Sequence, residues 1–217
     1  KYINSFFVSD YVRKKFVKYG GYDIKGRKLN PPVSTGFNNT NKRDRNTTNI
    51  CIIGRIHEDK GFADFISAWK QMKNKEFVNS VMVITPDDLS KFDTTGMTIL
   101  HANTDAEMNA IYNDAHIFVS TGRNEGYGLP GLEAMATGCA CILGDNGGVR
   151  EYSLNGKNCI MYRPKDVSKL SERLDLLVKN KNLQAKLGLA GMETVKFFTE
   201  EVFVTRFIEY MKEDGLI

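Results

Sequence analysis

Residues 120–138, STGRNEGYGLPGLEAMATG, set two glutamates, Glu125 and Glu133, eight positions apart across a glycine-rich turn that runs into a helix. Gly126 and Gly128 let the backbone approach a ligand closely and take positive φ where needed. Pro130 suits the first helical position, where its missing N–H is no loss. The free N–H groups and dipole of a helix starting there attract an anion. Leu132, Met135 and Ala136 form the core-facing stripe, and Glu133 lies off it in the first turn. Helical side chains lean toward the N-terminus, so the Glu133 carboxylate reaches back toward the helix mouth. Beside an anion site, a carboxylate is suited to a neutral diol such as a ribose. Glu125, in the loop, is placed to accept from sugar hydroxyls in the same way. Taken singly, Glu133 also reads as a charge complementing the helix dipole, and Glu125 as an ordinary loop charge.

Two further stretches carry related chemistry. In GRIHEDKG, residues 54–61, Arg55 and Lys60 flank a loop that enters a helix, an arrangement suited to a diphosphate. Charge-assisted bonds to phosphate contribute roughly 1.5–3 kcal/mol each. The plainer reading is a solvated loop with Arg55 paired to Glu58 or Asp59. The loop is not a P-loop, since G-x-x-x-x-G-K-[ST] is absent. His57 lies in the same loop, within reach of a phosphate or simply exposed. In GDNGGVREYSLNG, residues 144–156, Gly147 and Gly148 precede a short helix and offer a second anion cradle, with Glu151 hydrogen-bonding across the loop. An ordinary turn with a helix cap explains that stretch equally well. PDD at 86–88 reads as a surface turn before a helix, not as a metal motif. Together the three stretches converge on a nucleoside diphosphate carrying a sugar.

The elements that must position these residues alternate. Apolar runs at 50–54, 80–85, 97–102, 115–120, 139–144 and 158–162 read as strands. Helices are expected at 61–73, 105–113, 130–137, 166–179, 182–197 and 200–213, with Thr104 and Glu107 forming a capping box. Upstream, an apolar run leads to Asp10 as N-cap of a helix through about Lys18, ended by Gly20 and Gly21, and 22–47 reads as linker and loop. Continuous apolar strands alternating with helices mean a parallel sheet covered on both faces. The fold class is α/β, a doubly wound, Rossmann-like parallel sheet, in which ligands sit outside the carboxyl ends of the strands.

The bulk numbers fit. At 217 residues the chain accommodates one large domain, or one domain and a fragment of another. Its formal net charge of +4 is spread among interleaved acids and bases, which argues against a nucleic-acid partner. Cys51, Cys139, Cys141 and Cys159 lie in apolar runs and read as reduced core residues of a cytoplasmic protein. His116 sits in a strand as a core residue. No run of about 18 apolar residues is present, and the N-terminal stretch lacks a signal peptide's cleavage site. A chain that starts at Lys1 looks like a piece of something longer.

At this point the sequence resembles the nucleotide-binding half of GT-B glycosyltransferases, in particular the retaining family 4, glycosyl transferases group 1. GRIHEDKG is similar to that family's G-R-x(4)-K-G, EGYGLPGLEAMATG to its E-x7-E signature, and GGVREYSLNGKNCIMY to a third segment. FFTEEVFVTRFIEYM resembles the closing helix that often follows, and the match covers about residues 48–213. The resemblance implies a retaining, metal-independent hexosyltransferase (EC 2.4 type) that requires no cofactor beyond a UDP-, GDP-, ADP- or dTDP-sugar substrate. It implies that Arg55 and Lys60 hold the donor's diphosphate, that Glu125 binds the transferred sugar and Glu133 the ribose. Gly54 belongs to the same loop as the cations, and Gly126, Tyr127, Gly128 and Leu129 would offer backbone N–H groups. The base is placed near Ala102 and Asn103. Arg123, where the family varies, either lines the sugar pocket or faces solvent.

The domain plan that follows is 1–30 as a remnant of an N-terminal GT-B domain and linker, 31–198 as the donor-binding domain, and 199–217 as the closing helix. The implied partners are a nucleotide-sugar, a carbohydrate, lipid-linked or protein acceptor, and the missing N-terminal domain, with peripheral membrane association left open. The alternative from another class is a non-catalytic sugar-nucleotide-binding or scaffold module that kept the fold.

Overall fold

In the computed structural model, which describes residues 5–20, 26–40, 43–44 and 46–217, the chain opens with β1 (Ser5–Phe7), α1 (Asp10–Gly20) and β2 (Gly26–Lys28). It continues through β3 (Asn49–Ile53), α2 (Phe62–Gln71), β4 (Ser80–Ile84), β5 (Thr98–Leu100) and α3 (Asp105–Asp114). Next come β6 (Ile117–Ser120), α4 (Leu129–Ala136), β7 (Ala140–Gly144) and β8 (Ile160–Tyr162). Helices α5 (Val167–Lys179), α6 (Lys181–Val195) and α7 (Glu200–Glu213) complete the order.

β3 to β8 form one six-stranded sheet in the order β5-β4-β3-β6-β7-β8, and every neighbouring pair is parallel. Alternate residues of β3 enter opposite cores, as the two-residue period of a strand requires. Ile50 and Ile52 join Phe62 and Phe65 of α2 and Leu170 and Leu174 of α5. Cys51 joins Phe118, Tyr112 of α3, and Leu132 and Met135 of α4. With both faces buried the strands read as unbroken apolar runs, and the doubly wound class follows. Chain order reverses between β3 and β6, so a crevice opens outside their carboxyl ends.

The smaller expectations divide. The capping box at Thr104 and Glu107 is present. All four cysteines are buried and unbridged, and burial raises each thiol's pKa. His116 is a core residue: its Nδ1 accepts the Asn49 N–H at 3.1 Å, and its Nε2 lies 2.9 Å from the Asp44 carbonyl. Asp10 is not the cap of α1. Ser9 is, its Oγ accepting the Val12 N–H at 3.0 Å, and α1 extends to Gly20; Gly21 lies outside the described residues. The stretch 22–47 is not all loop, because Gly26–Lys28 pairs in parallel with β1. A three-residue strand reading Gly-Arg-Lys shows no apolar alternation, so only its partner reveals it.

β1 and β2 form a sheet of their own, and α7 returns to it. Phe207 and Tyr210 pack on Phe6, while Arg27 binds Glu213 and, at 2.6 Å, Asp214. Among the described residues no helix is long and apolar enough to cross a membrane. On the other side of the molecule α6 lies so close to the end of α4 that a Cβ on Gly188 would stand 2.3 Å from the Gly138 carbonyl oxygen. Backbone cannot yield that distance. Gly188→Ala should therefore lower stability by about 1–3 kcal/mol, the usual penalty of overpacking, seen as a lower urea midpoint at unchanged slope.

Candidate functional site

The crevice is framed by loop 54–61, which leaves β3, and loop 121–128, which leaves β6. Gly54 starts the first: its N–H donates to the Ile84 carbonyl at 2.9 Å, and a Cβ there would meet Val83 at 2.5 Å. Gly61 ends it with φ +66°, its missing Cβ 2.3 Å from the Thr121 carbonyl oxygen. The hydroxyl of Thr121 then donates to the Lys60 carbonyl at 2.7 Å. His57 caps the turn Glu58–Lys60, its Nδ1 accepting the Asp59 N–H at 3.2 Å.

Arg123 locks the two loops together. Its backbone N–H donates to the Asp59 carbonyl. Its guanidinium donates to both Asp64 carboxylate oxygens, 2.9 Å for the shortest, and to Glu58 at 2.8 Å. With its side chain only 14% exposed, Arg123 is held between the loops and does not simply face solvent. The partners lie more than fifty positions away in sequence, beyond any local reading. Asn124 adds a bond to Asp59 at 3.1 Å.

A third loop, 144–151, closes on the second. Glu125 and Gly147 form a parallel bridge, and a Cβ on Gly148 would lie 2.3 Å from the Glu125 carbonyl oxygen. Glu151 does not bond across its own loop. Its carboxylate, 8% exposed, takes the Lys28 ammonium at 2.9 Å, the Asp10 N–H at 2.7 Å and the Asn30 amide at 3.3 Å. The start of α1 is thereby drawn over the glycines. Ser9 Oγ donates to the Gly126 carbonyl at 2.5 Å, Tyr11 donates to Asn124 Oδ1 at 3.1 Å, and the Tyr11 ring covers Gly147. Sequence reasoning missed Ser9 and Tyr11, for which no local motif signals a role.

The expected site residues fall into three groups. Lys60 and Glu125 meet directly, Nζ to Oε1 at 2.9 Å. Arg55 is held aside, donating from Nε to Asp87 Oδ2 at 3.0 Å rather than to Glu58 or Asp59. Asp87 also accepts the Ile56 N–H at 2.9 Å, and that bond, followed by Arg55, holds its carboxyl below the usual range. PDD is thus a turn that anchors the cation loop, and no helix follows it before β5.

Glu133 stands apart as well. Gly128, at φ +90°, precedes a helix that begins at Leu129, so Pro130 is second and Glu133 fifth, in the second turn and not the first. Its carboxylate is largely buried and accepts from the Tyr112 hydroxyl at 3.4 Å. Burial raises its pKa to about 7, against the pull of the Tyr112 bond and with a further push from Asp105. Tyr127 is buried, T-stacked on Tyr152, and its hydroxyl meets no hydrogen-bond partner among the described residues. Asn103 gives its N–H to Glu107 at 2.7 Å, and Ala102 packs against the apolar cluster of α3 and α4. A cavity of about 360 Å³ lies elsewhere, lined in part by Arg43, His116, Gly138, Lys181 and Met192. Arg43 and Lys181 are already bonded to carbonyl groups there.

The profile of the family described as glycosyl transferases group 1 matches residues 37–194, well over half the chain, and the chain belongs to that family. The capsular polysaccharide biosynthesis glycosyltransferase CapM of Staphylococcus aureus is 23% identical over 155 residues, which cover 68% of this chain and 41% of CapM. The chain thus spans about two-fifths of that relative's length. The C-terminal domain of the group 1 glycosyl transferase LpcC from Francisella tularensis superposes with TM-score 0.65 at 25% identity, covering 76% of this chain and 96% of that one. Anabaena HepE, solved in complex with UDP-glucose, superposes with TM-score 0.82 at 14% identity over 97% of this chain and 64% of its own. The fold is the Rossmann-like architecture of GT-B glycosyltransferases.

Arg123→Ala leaves Asp64 buried without its cation and should lower stability by about 1–3 kcal/mol, measured by chemical denaturation. Glu133 gives a pH signature. Its folded pKa lies above its ordinary 4.5, so between about 4.5 and 7 the unfolded chain releases this proton first. Stability must then fall as pH rises through that window and level off above it. Glu133→Gln should remove that slope and stabilise the chain at pH 8 by on the order of 3 kcal/mol, each unit of displacement being worth about 1.4 kcal/mol.

Proposed function

We propose that this chain is the donor-binding part of a retaining, metal-independent glycosyltransferase that moves a hexose-type sugar from a nucleoside diphosphate to a glycan, lipid or protein acceptor. The observation that carries the reading is the Lys60–Glu125 pair at the point where strand order reverses, in a chain of the group 1 family. Lys60 and Arg55 supply positive charge to the diphosphate. Gly126, Tyr127, Gly128 and Leu129 offer backbone at the mouth of α4, a natural seat for an anion. Glu125 accepts from the sugar and Glu133 from the ribose, with the base toward Ala102 and Asn103. HepE, a neighbour of the same fold, holds UDP-glucose, which supports a nucleotide-sugar ligand here.

In the chemistry, cations and helix dipole offset the charge on the departing nucleoside diphosphate, an electrostatic effect strongest in a site shielded from water. A donor phosphate oxygen assists the incoming hydroxyl, and the sugar keeps its anomeric configuration. The separate β1–β2 sheet supports reading residues 1–30 as a remnant of an N-terminal domain and linker, and the packing of α7 on Phe6 supports reading 199–217 as a closing helix.

Titration with UDP, GDP, ADP and dTDP tests the reading: at least one should bind with a Kd below about 1 mM, and binding by none overturns it. Glu133→Ala should weaken that nucleotide more than pyrophosphate, whereas Arg55→Ala should weaken both. Equal losses for Glu133→Ala remove the ribose assignment. Donor hydrolysis or transfer by the full-length protein separates an enzyme from a scaffold.

A further inference from the structure

The three cations on the crevice loops are held in different ways. Arg123 is largely shielded and held by two carboxylates, Asp64 and Glu58. Arg55 leans out to Asp87, which is also fastened to the Ile56 N–H. Lys60 has Glu125 as its carboxylate partner, and this pair is open to water, the two side chains being 43% and 22% exposed. The backbones beneath it are fixed. The Lys60 N–H donates to the His57 carbonyl at 2.9 Å, and its carbonyl accepts from Thr121. Glu125 is pinned by its bridge to Gly147 and by Gly148 against its carbonyl. The pair can therefore part by rotation of two side chains with no movement of the loops.

We propose that Lys60 and Glu125 act as an exchange pair that couples the diphosphate subsite to the sugar subsite. A diphosphate that captures the Lys60 ammonium releases Glu125 Oε1, the oxygen that the ammonium holds, and adds it to the acceptors available for sugar hydroxyls. The inference rests on the donor-site reading and adds a coupling to it: an anion on Lys60 strengthens the grip of Glu125 on the sugar. Coupling of this kind is reciprocal. Anything that already occupies Glu125 makes Lys60 more available to the anion. A free monosaccharide, which brings no charge to draw Lys60 away, therefore meets one fewer open acceptor on Glu125.

The test uses inorganic pyrophosphate, which is independent of base and sugar, in calorimetric titrations at low ionic strength. Glu125→Gln should bind pyrophosphate about two- to fivefold more tightly than the unaltered chain, the equivalent of one exposed ion pair. The gain should vanish when Glu125→Gln is made in a Lys60→Met background, and shrink in high salt as screening weakens the pair. Thermal unfolding of each variant establishes that it is folded. An equal gain in the Lys60→Met background would assign the effect to net charge alone and overturn the exchange. So would unchanged or weaker pyrophosphate binding by Glu125→Gln when the unaltered chain binds it. If the unaltered chain binds neither pyrophosphate nor any nucleoside diphosphate, the donor-site reading itself falls first.

Discussion

The two crevice loops are joined chiefly through one largely shielded guanidinium. Parallel strands send successive loops out of the same edge of a sheet, and nothing in the sheet's own hydrogen bonds fixes how far apart those loops stand. Arg123 does so, with Nε and Nη2 on Asp64 from the start of α2 and its remaining nitrogen on Glu58. A bidentate carboxylate pair fixes direction as well as distance. Gly61 and Gly148 let the same loops touch where a side chain would hold them apart. Lys60 and Glu125 stand within bonding reach because the backbones that carry them are already set.

Three glutamates around this crevice show how environment divides one chemical group into different instruments. Glu151 is buried but saturated by an ammonium, an amide and a main-chain N–H, so it serves as an anchor. Glu125 is partly exposed and paired to one exposed cation. Glu133 is buried with only a long bond from a phenol, and desolvation keeps its proton on until about neutral pH. Among these three, charge partner and burial, more than sequence position, decide the state of the carboxyl group.

Much of this was legible in the residues. Strand runs such as ICII and IFVS are buried on both faces, so composition alone exposes them, and Gly128 takes the positive φ that the turn before α4 calls for. What was not legible depends on partners distant in sequence. Asp87 takes Arg55 away from its neighbours in the loop, Asp64 ties down Arg123, and Tyr112 gives Glu133 a partner on another helix. β2 is invisible without β1. Helix starts were misjudged by one residue at both Asp10 and Pro130, and that single step moved Glu133 from the first turn into the second. Local pattern fixes what a residue is able to do, while long-range contact decides which of those abilities remains unspent.

The first turn of α1 is stitched to the glycine loops by Ser9, Tyr11 and the Glu151 cluster, while α7 fastens the other side of the small sheet through Arg27 and Phe6. That body is consequently a lever with its short arm on the Gly126 carbonyl. Torque applied to β1 and β2 by whatever they carry reaches the peptide planes beside Glu125 through Ser9, Tyr11 and the Glu151 cluster.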